Sequence, residues 1–231
     1  MINFQPGGAS NHDIENPGQQ HAAAVIAMDV SGSMAVAIHD LESAVGKLKE
    51  ALENDPVTRS RVEVMLITFS DEARIVSPFC PVDDLVIPDL EARGGTNMHD
   101  AVDLAINEIE VRREQYLQEE VPAYKPFLFL LTDGCPTSLD NGAFQHLMDL
   151  QKNDRWNYFP VAVGPRADRS FLASNNANGT VMISGQDNFD GIFEFISDSF
   201  SKLVTLAPGE KAALPPADSY GMVVYQQTID A

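Results

Sequence analysis

The chain has 231 residues, with 15 Lys and Arg against 34 Asp and Glu for a formal net charge of −19, and 44% of it is hydrophobic. That length and apolar content suit a buried core and exclude wholesale disorder. So acidic a chain repels phosphate backbones and anionic lipid, which argues against nucleic acid and membranes and for basic partners or divalent cations, although acidity also serves plain solubility.

The start, "MINFQPGGASNHDIENPGQQ", has neither a basic region nor an apolar stretch, and reads as a flexible arm over 1–21 rather than a signal peptide. "AAAVIAM" then reads as a strand that stops on Asp29, and the hydroxyl-rich turn "VSGSM" follows. Ile38, Leu41, Val45, Leu48 and Leu52 recur at intervals of three and four, which predicts one face of a helix. "VEVMLITFS" (62–70) predicts a strand, and "ARIVSPF" (73–79) a second one close enough to form a hairpin with it. Met98, Val102, Ala105 and Ile109 share another helical face, with Thr96 or Asn97 placed to cap its start.

"PFLFLLTD" (126–133) is the most apolar strand, and its lack of alternation predicts burial on both faces. "WNYFPVAVG" and "TVMIS" supply two more strands. "FDGIFEFISDSFSKLV" is the last helix, with Phe189, Ile192, Phe193, Ile196, Phe200 and Leu203 on one side as core. Beyond it lies a Pro-bearing tail, 207–231, whose "YGMVVYQQTI" can form a strand on this sheet or on a neighbour's. The alternation predicts a single doubly wound α/β domain over 22–206, mostly parallel, with helices on both faces and one antiparallel edge strand from the 62–79 pair. No apolar run approaches the ~18 residues that a membrane span needs. Cys80 and Cys135 lie far apart and form no C-x-x-C, which points to a reducing, cytoplasmic compartment and away from a cysteine-built zinc site.

Ligands of open α/β sheets sit at the carboxyl ends of the strands. Two strands here end on aspartate, at Asp29 and Asp133, and the loop "ARGGTNMHD" offers Thr96 where a helix opens. Ser31 and Ser33 stand in the turn beside Asp29. The resulting set of two carboxylates and three hydroxyls is hard-oxygen chemistry, suited to Mg²⁺, Mn²⁺ or Ca²⁺ and not to zinc or copper. Crowded together without a cation, the two aspartates would repel each other. Neutral hydroxyls leave a bound ion short of negative charge and ready to accept a carboxylate from outside.

D-x-S-x-S at Asp29, Ser31 and Ser33, then Gly-Gly-Thr at Thr96, then T-D-G at Asp133, resembles the metal-ion-dependent adhesion site of the von Willebrand factor A domain, in order and in spacing. The resemblance covers roughly residues 22–206. It implies a Rossmann-like fold whose metal, Mg²⁺ foremost, is held by Asp29, Ser31, Ser33, Thr96 and Asp133 and binds protein partners through an Asp or Glu that they supply. "TDGCPT" looks most like bacterial A-domain proteins of the tellurium-resistance (TerY-like) type, which implies a stress-response or defence assembly. Some relatives carry a cysteine-rich zinc module after the A domain, and this chain has none.

Competing readings of these residues are structural. Asp29 alone reads as a strand-end cap on the following helix, and Gly94, Gly95 and Gly134 as turn glycines. Asp71 and Asp100 read as solvated surface, His99 as a surface or capping histidine, and Cys135 as a small loop residue beside the site. Haloacid-dehalogenase-type phosphatases place a second acid two residues after the first, where this chain has Ser31. There is no G-x-S-x-G elbow, Walker loop or H-E-x-x-H. The expectation is therefore a binding module and not an enzyme, with a constitutive subunit of an ATPase, kinase or phosphatase complex holding a structural metal as the alternative, and a Mg²⁺-dependent hydrolase after that.

Overall fold

The structure, a computed structural model, describes residue 14 and residues 17–206 and 214–227. Seven strands form one sheet in the order β3-β2-β1-β4-β5-β6-β7. They are β1 (Ala22–Asp29), β2 (Val62–Phe69), β3 (Ala73–Pro81), β4 (Phe127–Thr132), β5 (Asn157–Val163), β6 (Thr180–Ser184) and β7 (Val223–Gln226). The five inner strands run parallel, and the hairpin places β3 antiparallel on β2 at one edge, as the 62–79 pattern predicts. A second antiparallel strand closes the other edge, because β7 pairs with β6 from Thr180↔Gln226 to Ile183↔Val223. The tail therefore docks on its own sheet, which the sequence left open. Its residues 207–213 and 228–231 lie outside the described residues.

Period-two alternation assigns the core. Every residue of β1 is buried. Ala22, Ala24, Ile26 and Met28 enter one apolar cluster, and Ala23, Val25 and Ala27 enter the other. In β4, Phe127, Phe129 and Leu131 divide from Leu128 and Leu130 in the same way, which is why that strand reads as unbroken apolar sequence. Helices α1 (Ile38–Asn54) and α6 (Phe189–Val204) cover the first face; α3 (Met98–Gln118) and α4 (Ala143–Lys152) cover the second. Phe200 of α6 stands edge-on to Phe127 at 5.8 Å, and Phe129 stacks on Phe159 at 5.0 Å.

Two short helices complete the chain, α2 (Pro56–Arg61) and α5 (Arg169–Ser174). Asp55 caps α2 through Val57 N–H at 3.0 Å and Thr58 N–H at 3.4 Å. Within the arm expected over 1–21, Ile14 is buried in the second apolar cluster, and His21 N–H bonds Pro122 O at 2.8 Å. Residues 1–13, 15 and 16 lie outside the described residues. No helix among the described residues is long and apolar enough to cross a membrane.

Candidate metal centre

The parallel register brings the two aspartates together. β1 pairs with β4 from Ala24↔Phe127 to Met28↔Leu131, so Asp29 stands across from Thr132 at the carboxyl ends of both strands. Thr132 Oγ1 donates to Asp29 Oδ2 at 2.6 Å, and Ser31 N–H donates to Asp29 Oδ1 at 2.8 Å. Asp29 thus ties down its own turn and faces the neighbouring strand, but it caps no helix: neither the following 3₁₀ turn nor α1 has a side-chain cap. Ser31 precedes a 3₁₀ turn, Gly32–Val36, yet makes no side-chain cap. Its hydroxyl instead pairs with Ser33 Oγ at 3.0 Å. Ser33 Oγ in turn donates to Asp133 Oδ1 at 2.5 Å.

Thr96 joins from the other side. A Cβ built on Gly134 would come 3.3 Å from Thr96 Oγ1, so the hydroxyl lies against the residue that follows Asp133. The cap of α3 is Asn97, which accepts from Asp100 N–H, and not Thr96. Thr96 is clamped by Thr137 through two bonds, Thr96 N–H to Thr137 Oγ1 at 2.8 Å and Thr137 N–H to Thr96 O at 3.0 Å. The loop before it docks on the Asp29 turn, since Arg93 N–H reaches Val30 O at 2.8 Å and Gly32 N–H reaches Gly94 O at 3.1 Å. All five residues named from sequence, Asp29, Ser31, Ser33, Thr96 and Asp133, therefore line one rim of the sheet.

Two neighbouring residues, Asp71 and His99, differ from their sequence reading. Asp71 is exposed but is more than solvated surface: its Oδ1 accepts from Gly95 N–H at 2.7 Å and braces the Thr96 loop. Gly94 adopts φ +71°, and a Cβ there would lie 2.5 Å from Asp71 Oδ2, so both the turn and the brace require glycine. His99 is a core histidine and not a surface one. It is buried, bonds Ser138 Oγ through Nδ1 at 3.0 Å, and meets the rings of Phe144 and Phe171 edge-on. Asp100 remains on the surface, paired with Asn97 Nδ2 at 2.6 Å, and Cys135 is exposed.

Two residues that sequence reasoning missed complete the setting. Arg166 Nη2 donates to Asp133 Oδ2 at 2.9 Å and to Ser33 O at 3.0 Å. Gln186 Nε2 donates to Asp133 Oδ2 at 2.9 Å. Both follow strand ends, β5 and β6, and the rule that found Asp29 and Asp133 would have found them had it been applied to all the strands.

The electrostatics are those of two carboxylates removed from water. Asp29 and Asp133 are each 0% exposed. Burial pushes the Asp29 carboxyl above the usual carboxylate range, its hydrogen bonds from Ser31 and Thr132 offset part of that, and the charge on Asp133 adds to it. Among the described residues no three His, Cys, Asp or Glu side chains come together as a metal site. The donor set here is of another kind, two carboxylates with three hydroxyls. A divalent cation fits it: the ion would relieve the mutual repulsion and take up lone pairs of the clustered hydroxyls.

Comparisons with known proteins agree with this topology. Residues 24–135, just under half of the chain, match the sequence model of the von Willebrand factor type A domain. That segment runs past all five rim residues and ends short of Arg166 and Gln186. Among solved structures, the chain resembles a von Willebrand factor type A protein from Catenulispora acidiphila with a TM-score of 0.61 and 16% identity, over 79% of this chain and 43% of that one. It resembles the proximal thread matrix protein 1 of the mussel byssus, in a structure with a zinc-occupied MIDAS motif, with a TM-score of 0.53 and 16% identity, over 90% of this chain and 49% of that one. The vWF domain of the type V pili tip protein Mfa5 from Porphyromonas gingivalis superimposes with a TM-score of 0.61 and 10% identity, over 83% of this chain and 99% of that domain. The chain thus spans less than half the length of the first two. No curated protein matches the chain.

Proposed function

Taking the von Willebrand factor A fold as the premise, we propose that the chain is a metal-dependent protein-interaction module. Asp29, Ser31, Ser33, Thr96 and Asp133 would hold a divalent cation, Mg²⁺ first and Mn²⁺ or Ca²⁺ next. When bound, the ion supplies a Lewis-acidic position for an Asp or Glu carboxylate of a protein partner. The observation that carries this reading is the gathering of these five oxygen-bearing side chains on one rim, with both carboxylates buried against hydroxyls. Two exposed apolar residues of the same rim loops, Val36 after β1 and Leu139 after β4, suit a protein partner.

We take the module to be non-catalytic. The side chains that hydrogen-bond the two carboxylates are hydroxyls, an amide and a guanidinium, and none of these is a general base at neutral pH. The cytoplasmic assignment rests on Cys80 and Cys135, which are both free thiols. The setting in a tellurium-resistance-like stress assembly rests on the "TDGCPT" resemblance alone. A constitutive place in an ATPase, kinase or phosphatase complex is the second form of the same interaction role.

Capture from native lysate with and without chelator tests the proposal. A metal-gated partner is lost on chelation and with Asp29→Ala or Asp133→Ala, whereas a constitutive complex survives all three. Calorimetric titration of the purified chain with Mg²⁺, Mn²⁺, Ca²⁺ and Zn²⁺ ranks the ions. Unchanged binding of every ion by both alanine variants refutes the site.

A further inference from the structure

Asp133 is the most heavily engaged acceptor of the rim. Its Oδ1 takes the Ser33 hydroxyl at 2.5 Å, and its Oδ2 takes two N–H donors, Arg166 Nη2 and Gln186 Nε2, each at 2.9 Å. A carboxylate oxygen has two lone-pair directions, so Oδ2 has none left for a cation and Oδ1 keeps one, beside Ser33. The two donors are not held alike. Gln186 crosses directly over Gly164, where φ is +75° and a Cβ would lie 2.8 Å from Gln186 Cγ, so its route to Asp133 is built into the backbone of the β5 turn. Arg166 is 59% exposed, and besides Asp133 it contacts the cluster only at Ser33 O.

We infer that Arg166 is a positioning residue that competes with the divalent ion for the Asp133 carboxylate, so that ion binding loosens the guanidinium. The inference rests on the metal-site reading above and goes beyond it by naming what the ion must compete with. Like charges a few ångströms apart in a poorly solvated pocket repel strongly, so the guanidinium and the ion weaken each other's hold on that carboxylate. Gln186, being neutral and held in place, keeps its bond and keeps Asp133 oriented. The turn that carries Arg166 is pinned by Asp168 N–H to Gly134 O at 3.2 Å, so the loosened guanidinium stays tethered at the rim. There it becomes a second donor for the carboxylate drawn to the ion, which gives an acidic chain a local positive pair with which to bind an acidic group.

The test is calorimetric titration of Mn²⁺ into the full chain as wild type, Arg166→Gln, Arg166→Lys and Asp133→Ala, at one ionic strength. Arg166→Gln is expected to bind Mn²⁺ about tenfold more tightly than wild type, roughly 1.4 kcal/mol. Arg166→Lys keeps the charge, but its side chain ends one atom short of the Nη2 that serves both acceptors, so it falls between the two. Equal or weaker binding by Arg166→Gln, with wild type still binding, overturns the inference. Should that variant fail to fold, equal or weaker binding by Arg166→Lys overturns it instead. Asp133→Ala separates the two levels: binding as tight as wild type there, or no Mn²⁺ binding by wild type and both Arg166 variants, refutes the metal site itself.

Discussion

The substitution Asp29→Asn separates charge from shape at the candidate site. The amide oxygen of the variant keeps the bond from Ser31 N–H, and its amide nitrogen faces the Thr132 hydroxyl, which can rotate to accept. The substitution removes one of two buried carboxylates whose burial and mutual charge hold the Asp29 carboxyl above its ordinary range. A carboxyl raised on folding costs stability as pH rises through its unfolded and then its folded value, and the amide that replaces it does not titrate. In chelator, Asp29→Asn is therefore expected to melt at or above the wild-type temperature. With Mg²⁺ the order reverses. At a concentration one hundred times the dissociation constant, the ion stabilises wild type by about 2.7 kcal/mol. For a chain of this size that is a rise of roughly 5–10 °C. Asp29→Asn, lacking one of the two charges, keeps only a small part of it. Differential scanning calorimetry in matched EDTA and Mg²⁺ buffers reads both effects in one experiment. An equal Mg²⁺ increment in the two proteins, or an Asp29→Asn variant that melts several degrees below wild type in EDTA, would refute the reasoning.

At the opposite end of the sheet, Arg112 and Glu63 form a buried pair with N–O distances of 2.6 and 2.7 Å, joined by the Tyr116 hydroxyl. Arg112→Leu strands the Glu63 charge and is expected to cost about 3–5 kcal/mol in urea unfolding, while adding Glu63→Gln recovers part of the loss. Burial works to raise the Asp55 carboxyl, but bonds from Ser201, Thr58 and Val57 outweigh it and hold it below the usual range. Asp55→Ala is expected to cost about 1 kcal/mol at neutral pH. Because a lowered carboxyl contributes fully above its unfolded value and loses that contribution as pH falls through its folded value, the gap between variant and wild type should close below about pH 4. Gly94→Ala must adopt φ +71° and push Asp71 off Gly95 N–H. A loss of about 1–2 kcal/mol from the left-handed backbone is expected, with weaker Mn²⁺ binding as the Thr96 loop shifts.

The inner strands and the three long helices α1, α3 and α6 were legible because burial writes itself as period: β1 and β4 as unbroken apolar runs, and α1 as residues at intervals of three and four. The candidate cluster was legible for a different reason. An acid that terminates a buried strand has no structural need of two serines, so its neighbours stand out. What escaped was set by partners distant in sequence. His99 looks polar and local, yet its burial depends on Phe144 and Phe171, both contributed by segments that lie beyond β4. The short helix α4, with Phe144, Leu147 and Leu150 turned inward, offers too few turns for its period to be noticed. β7 was legible as a strand within "YGMVVYQQTI", but its exposed Val223 and Val224 show no alternation, so its docking on β6 was not. Arg166 and Gln186 follow the ends of β5 and β6, which marks their place, but their role depends on where Asp133 stands.

The strand order has one more consequence. Outward from β1 the chain builds one side of the sheet with β2 and β3, and from β4 it builds the other. Asp29, Ser31, Ser33 and Thr96 all belong to the first half of the chain, and Asp133, Arg166 and Gln186 to the second. The rim is thus a seam, closed above the sheet by Ser33 to Asp133 and by Arg166 to Ser33 O. A cation placed there would be a rivet between two half-sheets. The work of parting β1 from β4 would then depend on the ion, and its binding would report that both halves have been made and joined.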